Sequence, residues 1–110
     1  MIQAVMRITF SPESRPKALE LISSIIERIR VSPGCISYGV YQDLMGKNSL
    51  TILEEWRSKA DLDRFICSDE YRSILALMEL ANQSPKILFY ELQKIGEMEV
   101  IENLRKAISI

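Results

Sequence analysis

The chain has 110 residues, 14 of them basic and 15 acidic, for a net charge of −1, with 47% hydrophobic and 26% charged residues. That length suits one domain with one core, and the composition is that of an ordinary globular protein. Charges of both signs are interspersed along the chain, so no basic run can track a phosphate backbone and nucleic-acid binding is not expected. No apolar run approaches the roughly 18 residues of a membrane span. The opening "MIQAVMRITF", interrupted by Arg7, lacks the build of a signal peptide, so the expected location is the cytoplasm. The chain has no histidine and two cysteines. Cys35 and Cys67 have no CxxC spacing and are too few to hold a metal, so reduced, packed thiols are expected, with no metal and no cofactor.

In "IQAVMRITF" (2–10), Ile2, Ala4, Met6, Ile8 and Phe10 fall on one face, a period of two that predicts a strand. "SPESRP" is a turn and helix start, with Pro16 tolerated in the first turn. Leu19, Ile22, Ile26 and Ile29 then predict an amphipathic helix to about Arg30, whose basic last turn suits the helix dipole. Pro33 and Gly34 end it. "CISYGVYQD" (35–43) predicts a second strand, "LMGKN" a hairpin loop, and "SLTILEEWR" (49–57) a third strand antiparallel to the second. Ser58 and Asp61 make a capping signature for a short helix, 59–66. Ser68 reads as the cap of the next helix, with a stripe of Tyr71, Ile74, Leu75, Met78 and Leu80 or Ala81. "KILFYELQK" (86–94) predicts a fourth strand, and "EMEVIENLRKAISI" (97–110) a last amphipathic helix.

The order β-α-β-β-α-β is the α+β, ferredoxin-like pattern of one antiparallel sheet with helices on one face, here with an extra C-terminal helix. Residues 1–95 would form the domain and 96–110 its helical extension. A sheet covered on one side only should alternate apolar and polar. These strands do not: Ile87 and Phe89 oppose Leu88, Tyr90 and Leu92, and Leu50, Ile52 and Trp56 oppose Leu53. Two apolar faces predict a homodimer closed through the sheet faces, a dimeric α+β barrel.

"SPGCISYGVYQD", "LTILEEW" and "SKADLDRFICSDEYRSIL" together resemble the antibiotic biosynthesis monooxygenase family, over about residues 2–95. The shared signals are the P-G-C start of the second strand, Tyr38 after Cys35, the E-x-W of Glu54 and Trp56, and the S-x-x-D helix start. The resemblance implies cofactor-independent oxygenation of small electron-rich aromatics, quinols or anthrones, in which the substrate is the reductant and the protein removes a proton. Many members carry histidine on the helix after E-x-W, where this chain has Phe65. With no histidine, neither an imidazole base nor axial haem ligation is available.

The catalytic candidates are therefore Glu54, as a partly buried carboxylate base, and Tyr38, as a hydrogen-bond donor to a phenolate. The substrate-binding candidates are Trp56, Phe65, Tyr90 and Arg7. Each has a plain structural role as its rival. Glu54 pairs with Arg7 or Arg57, Trp56 and Phe65 pack the core, Tyr38 and Tyr90 border an interface, and Arg7 holds a neighbouring acid. Met45, Met78 and Met98 are expected to fill gaps. The competing function is a non-catalytic small-molecule-binding or stress-response dimer of the same fold that lacks the histidine base.

Overall fold

The computed structural model describes residues 1–108. The elements are β1 (Ile2–Thr9), α1 (Arg15–Arg30), β2 (Cys35–Asp43), β3 (Gly46–Trp56), α2 (Lys59–Ile66), α3 (Tyr71–Glu79), β4 (Lys86–Glu91) and α4 (Met98–Ile108). The four strands form one antiparallel sheet in the order β2-β3-β1-β4. This is the α+β, ferredoxin-like arrangement expected from the element order. On one sheet face Ala4, Met6 and Ile8 of β1, Phe10 just after it, and Leu50, Ile52 and Trp56 of β3 are buried. They join Ile22, Ile25 and Ile29 of α1, Leu62 and Phe65 of α2, and Ile74 and Leu77 of α3 in a single core.

Several boundaries and stripes depart from the sequence expectation. The buried line of α1 is Ala18, Ile22, Ile25 and Ile29, with Leu19 and Ile26 only partly buried at its flanks. In α3 the core residue is Leu77, and Leu75 faces solvent. Ser68 does not cap α3: Glu70 occupies that position, and the Ser68 hydroxyl donates to the Phe65 carbonyl at 2.6 Å. Ser58 does cap α2, its oxygen accepting from the Asp61 amide at 3.3 Å. The β2–β3 turn is tighter than expected, with β3 starting at Gly46 and Asp43 Oδ1 accepting from the Met45 amide at 3.1 Å. β4 ends at Glu91, although the Leu92 amide still donates to the Met1 carbonyl. Met45 and Met98 are exposed and fill no gap, while Met78 packs against the core.

The second sheet face carries Val5 and Arg7 of β1, Leu53 of β3, Tyr41 of β2, and Leu88 and Tyr90 of β4. Leu88, Tyr90 and Tyr41 are exposed. On the core side, Phe89 on the edge strand β4 is 48% exposed. α4 buries none of its residues, and its stripe of Met98, Ile101, Leu104 and Ile108 lies open. The radius of gyration is 16.9 Å, against roughly 13 Å for a compact chain of this length.

Candidate active site

β3 lies between β1 and β2, so its side chains are held on both flanks. Alternation along "LTILEEW" sends Leu50, Ile52, Glu54 and Trp56 toward the helices and Glu55 to the other face. Glu55 there accepts from the Ser37 hydroxyl at 2.7 Å. Period two thus carries Glu54 into the core, where it is 6% exposed. Its register partners are Ala4 on β1 and Tyr38 on β2.

Four aromatic rings gather about this carboxyl. The Trp56 indole Nε1 donates to Glu54 Oε1 at 3.1 Å. Trp56 stacks on Phe65 at 4.8 Å between ring centres and 25° between planes. Phe65 meets Tyr71 edge-on at 5.3 Å and Tyr38 edge-on at 6.3 Å. Such edge-to-face and offset contacts each add about 0.5–1.5 kcal/mol beyond the area they bury. Trp56 is fully buried and Phe65 nearly so.

The electrostatics follow from burial. The apolar surroundings disfavour the carboxylate and push Glu54 up from 4.5 to about 7, against the opposing indole hydrogen bond. Burial, and then the negative charge of Glu54, raise the Tyr38 and Tyr71 phenols. The Cys35 thiol is raised by the same two causes, with Arg30 opposing. The Tyr38 hydroxyl is buried and has no hydrogen-bond partner, an arrangement that costs about 1–3 kcal/mol unless a ligand or water satisfies it.

A recess of about 240 Å³ opens beside the ring stack, with Trp56 and Phe65 in its wall and Ser32, Asp61, Arg64 and Glu70 at its rim. Asp61 is held below the usual carboxylate range, first by the Ser58 hydroxyl and then by Arg64, which lies 2.8 Å away. Gly34 makes this rim possible: its φ is +80°, and a Cβ there would come within 2.1 Å of the Asp61 side chain. The Trp56 indole therefore touches both the recess and Glu54.

Of the six residues singled out in the sequence, Glu54, Tyr38, Trp56 and Phe65 come together. Arg7 does not join them. It lies on the opposite sheet face, 3.2 Å from Asp43. Tyr90 is also on that face, on the edge strand, opposite Gln3. Glu54 takes an indole N–H as its partner in place of the expected arginine. Tyr71 belongs to the cluster and was counted in the sequence only as part of a helical stripe. Its signal was position: it begins the helix immediately after the one bearing Phe65. Among the described residues, no three His, Cys, Asp or Glu side chains gather as a metal site would require, and no helix is long and apolar enough to cross a membrane.

The same fold recurs among solved structures. A conserved protein from Methanosarcina mazei is 35% identical with a TM-score of 0.79, over 84% of this chain and 92% of that one. A protein named antibiotic biosynthesis monooxygenase is 20% identical with a TM-score of 0.78, over 86% of this chain and 100% of that one. A Mycobacterium tuberculosis protein is 23% identical with a TM-score of 0.77, over 86% and 98%. An uncharacterized protein of Synechocystis is 30% identical over 98 residues, which are 86% of this chain. The chain spans only 63% of that relative's length. The model of one family, antibiotic biosynthesis monooxygenase, matches residues 1–77, which contain every ring and carboxyl of the cluster. With the fold, the E-x-W strand and the family match in agreement, the chain belongs to the antibiotic biosynthesis monooxygenase family.

Proposed function

We propose that the protein is a cofactor-independent monooxygenase of small electron-rich aromatics of the quinol or anthrone type, with Glu54 as the proton acceptor. The observation that carries this is a buried carboxyl that accepts from the Trp56 indole among the rings of Phe65, Tyr38 and Tyr71, a burial that pushes its pKa up to about 7. A general base is most effective when its pKa lies near the working pH. Here burial achieves for a glutamate what an imidazole has without tuning. In the proposed step a substrate O–H or activated C–H gives its proton to the Glu54 carboxylate. The resulting anion is electron-rich enough to reduce molecular oxygen. One oxygen atom stays on carbon and the other leaves as water, with all four electrons coming from the substrate: an anthrone CH₂ becomes C=O, and a quinol gains one ring oxygen as it becomes a hydroxyquinone. Tyr38 donates its unpartnered hydroxyl to the substrate oxygen as negative charge develops there. Because Trp56 and Phe65 are closed over Glu54, substrate enters from the recess by displacing Phe65 or Tyr71.

The second function is binding without turnover. The lack of histidine and the indole already seated on Glu54 favour it. An oxygen electrode separates the two. Oxygen uptake with an anthrone or a quinol and no added cofactor, with one oxygen atom recovered in the organic product and no hydrogen peroxide formed, lost in Glu54→Gln, supports the monooxygenase. Saturable aromatic binding with no oxygen uptake refutes it.

We also propose that the working unit is a homodimer. One protomer exposes two apolar surfaces, the sheet face of Tyr41, Leu88 and Tyr90 and the stripe of α4. A second copy covers both at once through a two-fold axis.

A further inference from the structure

Arg7 and Lys86 face each other across β1 and β4 in direct register, on the sheet face away from Glu54. Two like charges in that position repel and destabilise the pair. Asp43 relieves only one of them, with its Oδ2 3.2 Å from Arg7. Lys86 makes no ion pair among the described residues.

The segment after α3 builds a wall beside this pair. Phe10 and Ala81 form an isolated bridge, and the Asn82 amide donates to the Thr9 carbonyl at 3.0 Å. These bonds bring Gln83 and Ser84 alongside the end of β1. The result is a recess of about 290 Å³ lined by Arg7, Thr9, Gln83, Ser84 and Lys86.

All five lining side chains carry hydrogen-bond donors: a guanidinium, two hydroxyls, an amide and an ammonium. None is acidic and none is an apolar hydrocarbon. Arg7 keeps free donors on its fork after meeting Asp43, since a guanidinium has five. Such a lining solvates an acceptor-rich anion and offers nothing to a neutral aromatic. We propose that this recess binds the oxyanion group, carboxylate or phosphate, of a small organic acid. The anion lies between Arg7 and Lys86, converts their repulsion into two charge-assisted hydrogen bonds, and takes further donors from Ser84 and from Thr9, whose oxygen then accepts from the Ser49 hydroxyl 3.0 Å away. This assigns Arg7 a ligand on the opposite sheet face from the oxygenation site, so the proposal is independent of the monooxygenase; it requires that the homodimer, which uses the same face through Tyr41, Leu88 and Tyr90, leave the Arg7–Lys86 end of the sheet open.

The test is an amide NMR titration of the whole chain with sodium phosphate and, separately, sodium malonate, at ionic strength held constant with sodium chloride. The expected result is saturable shifts confined to the amides around residues 7–9 and 83–86. The titrant that saturates at lower concentration identifies phosphate or carboxylate as the preferred group. Arg7→Gln and Lys86→Gln should each weaken binding by about tenfold or more, while Arg28→Gln, on α1, leaves it unchanged. Lys86 is exposed on an edge strand, so Lys86→Gln carries the test if Arg7→Gln fails to fold. Shifts that never saturate, that chloride reproduces, or that persist in both variants overturn the proposal. So does silence from both anions, which would mean that the recess is filled by another group, such as a carboxylate of a second copy.

Discussion

Glu54→Gln separates the charge of the buried carboxyl from its shape. Glutamine keeps an oxygen to accept from Trp56 Nε1 and has nothing to ionise. In the folded wild type Glu54 titrates at about 7, against an ordinary value of 4.5. Between those values the unfolded chain has already lost the proton that the folded chain keeps. The unfolded state binds fewer protons there, so stability falls as pH rises. The contribution is complete below pH 4.5 and is lost by the time pH has passed about 7. At about 1.4 kcal/mol per pH unit, the gap amounts to about 3 kcal/mol, a large share of a small domain's stability. The chain has no histidine, so this window is nearly free of other titrations. Urea unfolding at pH 5, 6, 7 and 8 should show the wild type losing about 2.5 kcal/mol and Glu54→Gln losing almost none, the variant being the more stable protein at pH 8. Equal slopes for the two proteins would refute the burial argument.

Three other outcomes are expected. Trp56→Ala should destabilise the protein by about 3–5 kcal/mol by urea unfolding, since the indole is fully buried under Phe65; a loss below about 1 kcal/mol would place it in an open pocket instead. Tyr38→Phe removes a buried hydroxyl without a partner. It should leave stability unchanged or raise it by about 1 kcal/mol while lowering oxygen uptake, and a destabilised variant would mean that the hydroxyl is already satisfied. Ile101→Asp with Leu104→Asp alters side chains that are exposed in the protomer. Protomer stability should move by less than about 0.5 kcal/mol, whereas sedimentation equilibrium should show the dimer dissociating; an unchanged association constant would contradict the role given to α4.

Element order, the sheet and most of the cluster were legible in the sequence because they depend on local periodicity. The two-residue period of "LTILEEW" places Glu54 and Trp56 on one face, and the capping serine at position 58 fixes α2 and hence Phe65. Residues joined only by tertiary packing were not legible. Tyr71 reaches Phe65 because the two short helices turn sharply between Cys67 and Glu70, and helical periodicity alone does not reveal such a bend. Arg7 and Tyr90 enter as candidates on residue type, although the alternation of Met6, Arg7 and Ile8 in β1 and of Ile87, Leu88, Phe89 and Tyr90 in β4 already turns each away from its strand's core side, where the register leaves them. The identity of the Glu54 partner depends on the rotamer of Trp56, which no spacing encodes. The apolar stripe of α4 was visible, and its lack of any surface to rest on emerged only with the fold.

The central claim is that the aromatic enclosure holds the Glu54 carboxyl neutral until near-neutral pH. Selective ¹³C labelling of glutamate side chains and an NMR titration of their Cδ signals, assigned with Glu54→Gln, read that proton directly. A midpoint at about 7 for Glu54 is the predicted result, and a midpoint near 4.5, the ordinary glutamate value, would contradict it.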